Sequence, residues 1–403
     1  MRRFLRGKLI YAAAIGCFLP VLFCVMAFTG MWPWRENSYA SYTLQACAWL
    51  QGRLDIPHGE AYAFLELAIK DGRYYVSFPP FPSYVLLPFA AVCGMKTPDA
   101  ALSLIIACVG LVYAVRLLRA YLRSDALALF WALFLYAGGG LLFLCVNGWV
   151  WFFAQNLCFT LSILALDCAR RGRGVISLTC WAAAVGCRPM TALYLPVLLH
   201  LLLRAQPNAA RPLRTLARHW YWAIGAAALG ASYMLLNALR FGSVLEFGHN
   251  YLPEFTRTAE GQFSLRYLMD NLRTALALPA VTPKGLDWPT INGAAFYLVN
   301  PLYLAAAMAW GWALFRRRKG NGFTLTMLPL LTLAYIVIIL CHRTLGGWHF
   351  GSRYFVDMLP YLAYGIAVWS PRDRRFALCC VPLAVLGAGL NMIGTVAVYN
   401  HWL

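Results

Sequence analysis

Charge is what this sequence has least of. Only 12% of its 403 residues are Asp, Glu, Lys or Arg, about half the share found in a soluble domain. Acids are the scarcer sign, 15 against 34 Lys and Arg. With 61% hydrophobic residues, this leaves too little polar surface for an ordinary soluble protein. Paired C-x-x-C motifs are missing despite 13 cysteines, so a zinc site of that kind is not expected. Most cysteines, among them Cys17, Cys24, Cys108, Cys158, Cys180, Cys379 and Cys380, lie in apolar runs, where the thiol acts as a small hydrophobe. There is no Gly-rich phosphate loop leading into a helix. There is no internal repeat of the sort that builds inverted transporter halves, and no low-complexity tract.

What is present is a series of apolar stretches of about 20 residues, enough to cross ~30 Å of hydrocarbon. The first, residues 9–31, lacks a small-residue cleavage site and reads as an uncleaved membrane helix. Between the stretches lie basic clusters: Arg2, Arg3, Arg6 and Lys8; Arg116, Arg119 and Arg123; Arg170, Arg171 and Arg173; Arg204, Arg211, Arg214 and Arg218; Arg316 to Lys319; Arg372, Arg374 and Arg375. Cytoplasmic loops of membrane proteins hold such an excess. It accounts for the net charge of +19 without a nucleic-acid partner.

With every basic cluster placed inside, the N-terminus is cytoplasmic and residues 9–31 lead outward. The chain returns through residues 100–121, which makes 33–99 a long outer segment. Its apolar piece at 84–95 contains Pro88 and is too short to span, so a re-entrant or interfacial helix is expected. Residues 126–146 go out, 149–168 come back, and the stretch between Arg173 and Arg204 forms a hairpin of two short helices broken at Arg188-Pro189. Residues 220–239 cross outward to a second outer loop at 240–293. Residues 294–315, 323–340, 355–369 and 376–399 complete the set, with the C-terminus outside. The expected fold is an all-α polytopic membrane protein, one membrane domain over residues 1–403, with about eleven helices. The location is the plasma membrane, in bacteria the inner membrane. Acids were not used to draw this map, yet 11 of 15 fall in the two outer loops.

The first outer loop is the richest in chemistry. Glu36 follows the first membrane helix, and Asn37 or Ser38 can cap a second helix from Tyr39 to Gln51. Apolar residues at Tyr39, Tyr42, Ala46, Trp49 and Leu50 give that helix one face suited to the membrane interface. A carboxylate held there can take a proton from an acceptor hydroxyl, although Glu36 can equally pair with Arg35 or favour the helix start. Glu66 sits on an apolar segment, where a carboxylate needs a partner. Asp71-Gly72 signals a tight turn between two extended pieces. The prolines at 79, 80 and 82 then fix an irregular backbone.

Two features together resemble the GT-C glycosyltransferases. One is the acid just after the first helix, followed by a helix ending in Gly52-Arg53-Leu54. The other is the run from Gly72-Arg73-Tyr74-Tyr75 to Pro79-Pro80. Three further segments are similar to bacterial members near the lipid A aminoarabinose transferases and protein O-mannosyltransferases: Gly186-Cys187-Arg188-Pro189, Asn237 to Ser243, and Trp348 to Tyr354 ahead of Asp357 and Pro360. The family often carries Asp-Glu after the first helix, where this chain has Arg35-Glu36-Asn37. The resemblance implies a multi-span enzyme that takes its sugar from a polyprenyl-phosphate donor. Glu36 is then the expected base, with Glu66 as the alternative.

Arg353, His349, Arg240 and Arg188 are the expected contacts to the donor phosphate, since Arg suits phosphate recognition. Each has a structural reading as well, such as Arg353 pairing with Asp357 or Arg188 bonding carbonyls at a helix break. Tyr74, Tyr75, His249, Trp348 and Tyr354 are expected to line the pocket, with Tyr251 and Glu254 beside His249. The implied partners are the lipid-linked sugar, membrane lipids, and a hydroxyl acceptor on a glycan, lipid or protein. No cofactor or metal-ligand set is apparent, and a divalent cation is neither required nor excluded. The rival readings are a transporter or flippase of lipid-linked saccharides and a non-catalytic envelope assembly protein.

Overall fold

The apolar runs of the sequence become helices in the computed structural model, which describes residues 2–207, 211–257, 259–283, 285–316, 322–371 and 374–403. Six described helices are long and apolar enough to cross a membrane: Lys8–Thr29, Asp99–Leu122, Val150–Arg170, Trp220–Phe241, Gly322–Leu340 and Arg374–Tyr399. Shorter apolar helical stretches are Phe81–Lys96, Asp125–Ala137, Gly174–Val185, Pro189–Arg204 and Leu302–Phe315. The chain is a predominantly helical, multi-pass membrane protein. The basic residues 317–319 and Arg372 lie outside the described residues.

The Val150–Arg170 helix is the centre of the bundle, buried along nearly its whole length. Small residues let its neighbours come close, as expected where lipid tails offer no hydrophobic drive between helices. Gly110 is the sharpest case, since a Cβ there would lie 2.2 Å from the Tyr136 hydroxyl and 2.4 Å from the Thr160 hydroxyl.

Three local expectations change. The stretch at 126–146 is not one helix. It runs Asp125–Ala137, breaks at Gly138 to Gly140, and resumes only over Leu141–Leu144. The break is held by side chains from elsewhere: the Gly140 N–H donates to Asn300 Oδ1 at 2.9 Å. The helix after Glu36 spans Ser41–Leu50, with Ala40 and not Asn37 or Ser38 at its N-cap. Its Ser41, Thr43 and Gln45 are all buried, so it is packed into the protein and does not float on the interface. Asn37 serves another purpose, donating to Asp99 Oδ2 and to the Gly148 carbonyl, each at 2.8 Å.

The tight turn at Asp71-Gly72 forms as read. Strands Leu67–Lys70 and Arg73–Val76 pair antiparallel, with Lys70 opposite Arg73. Both turn residues have positive φ, +51° and +72°, as a two-residue hairpin turn of the type I′ class requires. Lys70 Nζ donates to the Phe241 carbonyl at 2.7 Å. That bond ties the hairpin of the first long loop to the start of the second. The Arg188-Pro189 break also forms, between Gly174–Val185 and a short 3-10 turn over Pro189–Tyr194.

Candidate active site

The hairpin delivers Glu66 to a cavity of about 810 Å³. Glu66 joins a 3-10 turn to the first strand with φ +56°, a left-handed conformation uncommon outside Gly and Asn. Its carboxylate accepts a hydrogen bond from Trp151 Nε1 at 3.0 Å. The group is open toward the cavity but walled by protein on its other sides. That enclosure raises its pKa above the usual carboxylate value, while Trp151 and the positive charge of Arg353 pull it back. Glu254, from the second long loop, lines the same cavity. Its pKa is raised too, by burial and by the nearby Glu66.

Arg353 and Arg188 line the same cavity. Arg188 Nε donates to Asp357 Oδ2 at 3.0 Å. Asp357 also accepts from Gln155 Nε2 at 2.6 Å and from the Tyr335 hydroxyl at 3.0 Å. Arg353 makes no ion pair among the described residues. Its Nε donates to the Gly346 carbonyl, and its backbone N–H to His349 Nε2 at 2.7 Å. Its buried Nη1 has no partner. A buried guanidinium with a free N–H is costly unless an anion meets it. The Tyr354 ring packs against both cations, 4.6 Å from the Arg188 guanidinium and 5.2 Å from that of Arg353. These are favourable cation–π distances, and they soften the repulsion between two like charges.

Of the expected site residues, Glu66, Arg353, Arg188, His249, Trp348 and Tyr354 line this one cavity. Burial pushes the His249 imidazole down to about 4, so it is neutral near pH 7. His349 is fully buried behind Arg353 and holds its backbone without lining the cavity. Other residues expected at the site lie elsewhere in the structure. Glu36 is exposed and does not line the cavity. It precedes a helix whose start turns toward Asp99 and Gly148, which draws Asn37 inward and leaves Glu36 outside. Arg240 is buried against the hairpin, donating to the Val76 carbonyl at 3.0 Å and to Asn237 Oδ1 at 3.1 Å. Tyr75 packs edge-on against Phe241, and Tyr74 lies over Gly59, where a Cβ would sit 2.2 Å from its side chain. Neither tyrosine lines the cavity. Tyr251, named beside His249, instead stacks on Phe241.

Sequence reasoning missed Trp151, Tyr42, His342 and the structural role of Gln155. Trp151 lies 85 residues from Glu66, and no local pattern marks the pair. Gln155 could have been noticed as an uncharged but strongly polar residue inside an apolar helix, where such groups need partners.

Two solved structures match almost the whole chain. One is ArnT from Cupriavidus metallidurans bound to undecaprenyl phosphate, 15% identical with a TM-score of 0.55, over 96% of this chain and 77% of that one. The chain has the ArnT fold. The apo form of the same protein gives 12% identity and a TM-score of 0.52, over 97% of this chain and 77% of that one. No family model and no curated protein matches. At this identity the two matches show the fold alone, and that fold agrees with the resemblance read from the sequence motifs.

Proposed function

We propose that this chain is a membrane glycosyltransferase that moves a sugar from a polyprenyl-phosphate donor to a hydroxyl acceptor on the non-cytoplasmic face. The observation that carries the reading is one cavity holding a carboxylate with a raised pKa, Glu66, and a buried guanidinium with an unpartnered N–H, Arg353. The ArnT fold supports it, since ArnT was captured with undecaprenyl phosphate. The charge pattern supports the face: acids gather in the two loops that wall the cavity, and basic clusters lie toward the other ends of the helices.

In this reading the donor phosphate sits against Arg353, with Arg188 adding charge from its Asp357-anchored position. Glu66 takes the proton from the acceptor hydroxyl as its oxygen attacks the anomeric carbon. The new carbon–oxygen bond forms as the bond to the phosphate oxygen breaks, and the electron pair leaves with the lipid phosphate. That phosphate gains a negative charge, and Arg353 is already in place to meet it, which is where preorganised charge helps most. A single direct displacement inverts the anomeric centre. A base whose pKa is raised toward neutral is a better proton acceptor than an ordinary carboxylate. Trp151 orients it.

The test is a membrane assay with a panel of radiolabelled polyprenyl-phosphate sugars. Consumption of at least one donor, lost in Glu66→Gln, is the expected result. No consumption of any donor by folded protein, together with movement of a lipid-linked saccharide between leaflets, would replace this reading with a flippase.

A further inference from the structure

A second concavity, of about 570 Å³, is built from the connection between the Leu195–Arg204 helix and the Trp220–Phe241 helix. Arg211, Arg214, Arg218, His219 and Gln206 line it, and among the described residues no carboxylate does. The three arginines make no salt bridge among the described residues, in contrast to the basic residues around Asp167.

Its position follows from helix length. Phe241 is bound to the hairpin at the cavity end. The Trp220–Phe241 helix has 22 residues, which at 1.5 Å per residue places Trp220 about 33 Å away, one hydrocarbon thickness. The connection therefore lies at the opposite membrane interface. The same segment leaves Leu213 82% and Trp220 69% exposed, the pairing of apolar side chains with arginines found where a surface segment meets lipid. Trp is at home at headgroup level.

We infer that this pocket binds the phosphate headgroup of an anionic phospholipid, with Leu213 and Trp220 against the glycerol and upper acyl region. Cationic pockets of this sort, flanked by interfacial aromatics, suit a lipid phosphate better than a soluble anion because only the lipid also covers the apolar side chains. The inference stands apart from the proposed catalysis, since it uses no residue of the large cavity.

The experiment is lipid binding to the purified full-length protein by native mass spectrometry, with thermal unfolding alongside. The probes are dioleoyl phosphatidylglycerol, dioleoyl phosphatidylcholine and inorganic phosphate. Phosphatidylglycerol is expected to bind and raise Tm, and phosphatidylcholine to do neither. The variant Arg211→Gln/Arg214→Gln/Arg218→Gln is expected to weaken phosphatidylglycerol binding on the order of 100-fold, with an unchanged Tm in phosphatidylcholine. If that variant does not fold, Arg214→Gln and Arg218→Gln singly should each weaken binding about fivefold. The control Arg374→Gln/Arg375→Gln, in another basic cluster, should change it at most about threefold. Equal loss in the control would mean diffuse charge attraction, undiminished binding in the pocket variants would mean no site, and displacement by equimolar inorganic phosphate would mean a soluble-anion site; each overturns the inference.

Discussion

Asp167 and Asp357 are both buried aspartates facing arginine, and the protein treats them in opposite ways. Asp167, near the basic end of the central helix, is surrounded by guanidiniums: Arg116, Arg170 at 2.6 Å and Arg171 at 3.3 Å. Two of these come from the next turn of its own chain, the i+3 and i+4 positions. Asp357 is met by one guanidinium, one amide and one hydroxyl, while Arg353, four residues away, keeps a buried N–H without a partner. At the basic end cations gather on an acid; at the cavity end a cation is held in reserve. The lesson is that an unmatched buried charge, more than the count of charges, points to where a ligand of opposite sign belongs.

The predictions that follow would break or sharpen that contrast. The largest effect is expected from Glu66→Gln, which should lower transfer about 10²–10⁴-fold while donor binding persists; Glu36→Gln, at the exposed position, should stay near wild type. Steady-state transfer with separate donor-binding measurements distinguishes the two, and the reverse outcome would return the base to Glu36.

Next comes Asp357→Asn. Breaking a buried pair costs about 3–5 kcal/mol, and because Arg188 reaches the open cavity the lower end, about 3, is expected. Asp167→Asn should cost less, because Arg170 and Arg171 sit at the C-terminal end of their helix, where the helix dipole still favours a cation. Thermal unfolding of both variants decides the order.

Arg353→Ala should weaken donor affinity on the order of 10–100-fold, the scale of a lost charged hydrogen bond. Arg353→Lys should fall between, since Lys keeps the charge and loses the fork. An alanine variant that is folded and retains wild-type donor affinity would remove the reserve cation from the mechanism.

The smallest effect concerns pH. A base works ionised, so transfer should rise with pH through the pKa of Glu66, and that acidic limb should lie above the ordinary carboxylate range. Trp151→Phe removes a bond that favours the ionised form, so the limb should move further up. A limb that stays put or moves down would deny Trp151 its orienting role.

Much of the fold was legible because its signals are local. Asp71-Gly72 specifies a turn whatever surrounds it, and Arg188-Pro189 breaks a helix through proline geometry alone. The break at Gly138 to Gly140 was written just as plainly, three glycines in a row, but averaging hydropathy over a window hides it. The site was less legible. Glu36 has the better position in the chain and Glu66 the better position in space, because Trp151 and Arg353 come from far along the sequence. Arg240 looked like a phosphate ligand, yet its partner is a strand carbonyl 164 residues away. The buried face of Ser41–Leu50 was misjudged for a related reason: Gln45 Oε1 finds its partner inside in Ser83, 38 residues away, which donates to it at 2.8 Å.

Those separations also impose an order in time. Gly140 waits for Asn300, and Asn147 for the hydroxyl of Tyr399, 252 residues later. At about 5–20 residues per second of synthesis, that second wait lasts roughly 13–50 s. Until the last helix arrives, the glycine break in the first half of the chain lacks the packing of Gly387, whose Cβ would meet the Gly138 carbonyl at 2.3 Å. A nascent chain arrested before Arg374 therefore holds Asn147 without its Tyr399 partner, and the glycine break is fully packed only once the Arg374–Tyr399 helix is in place.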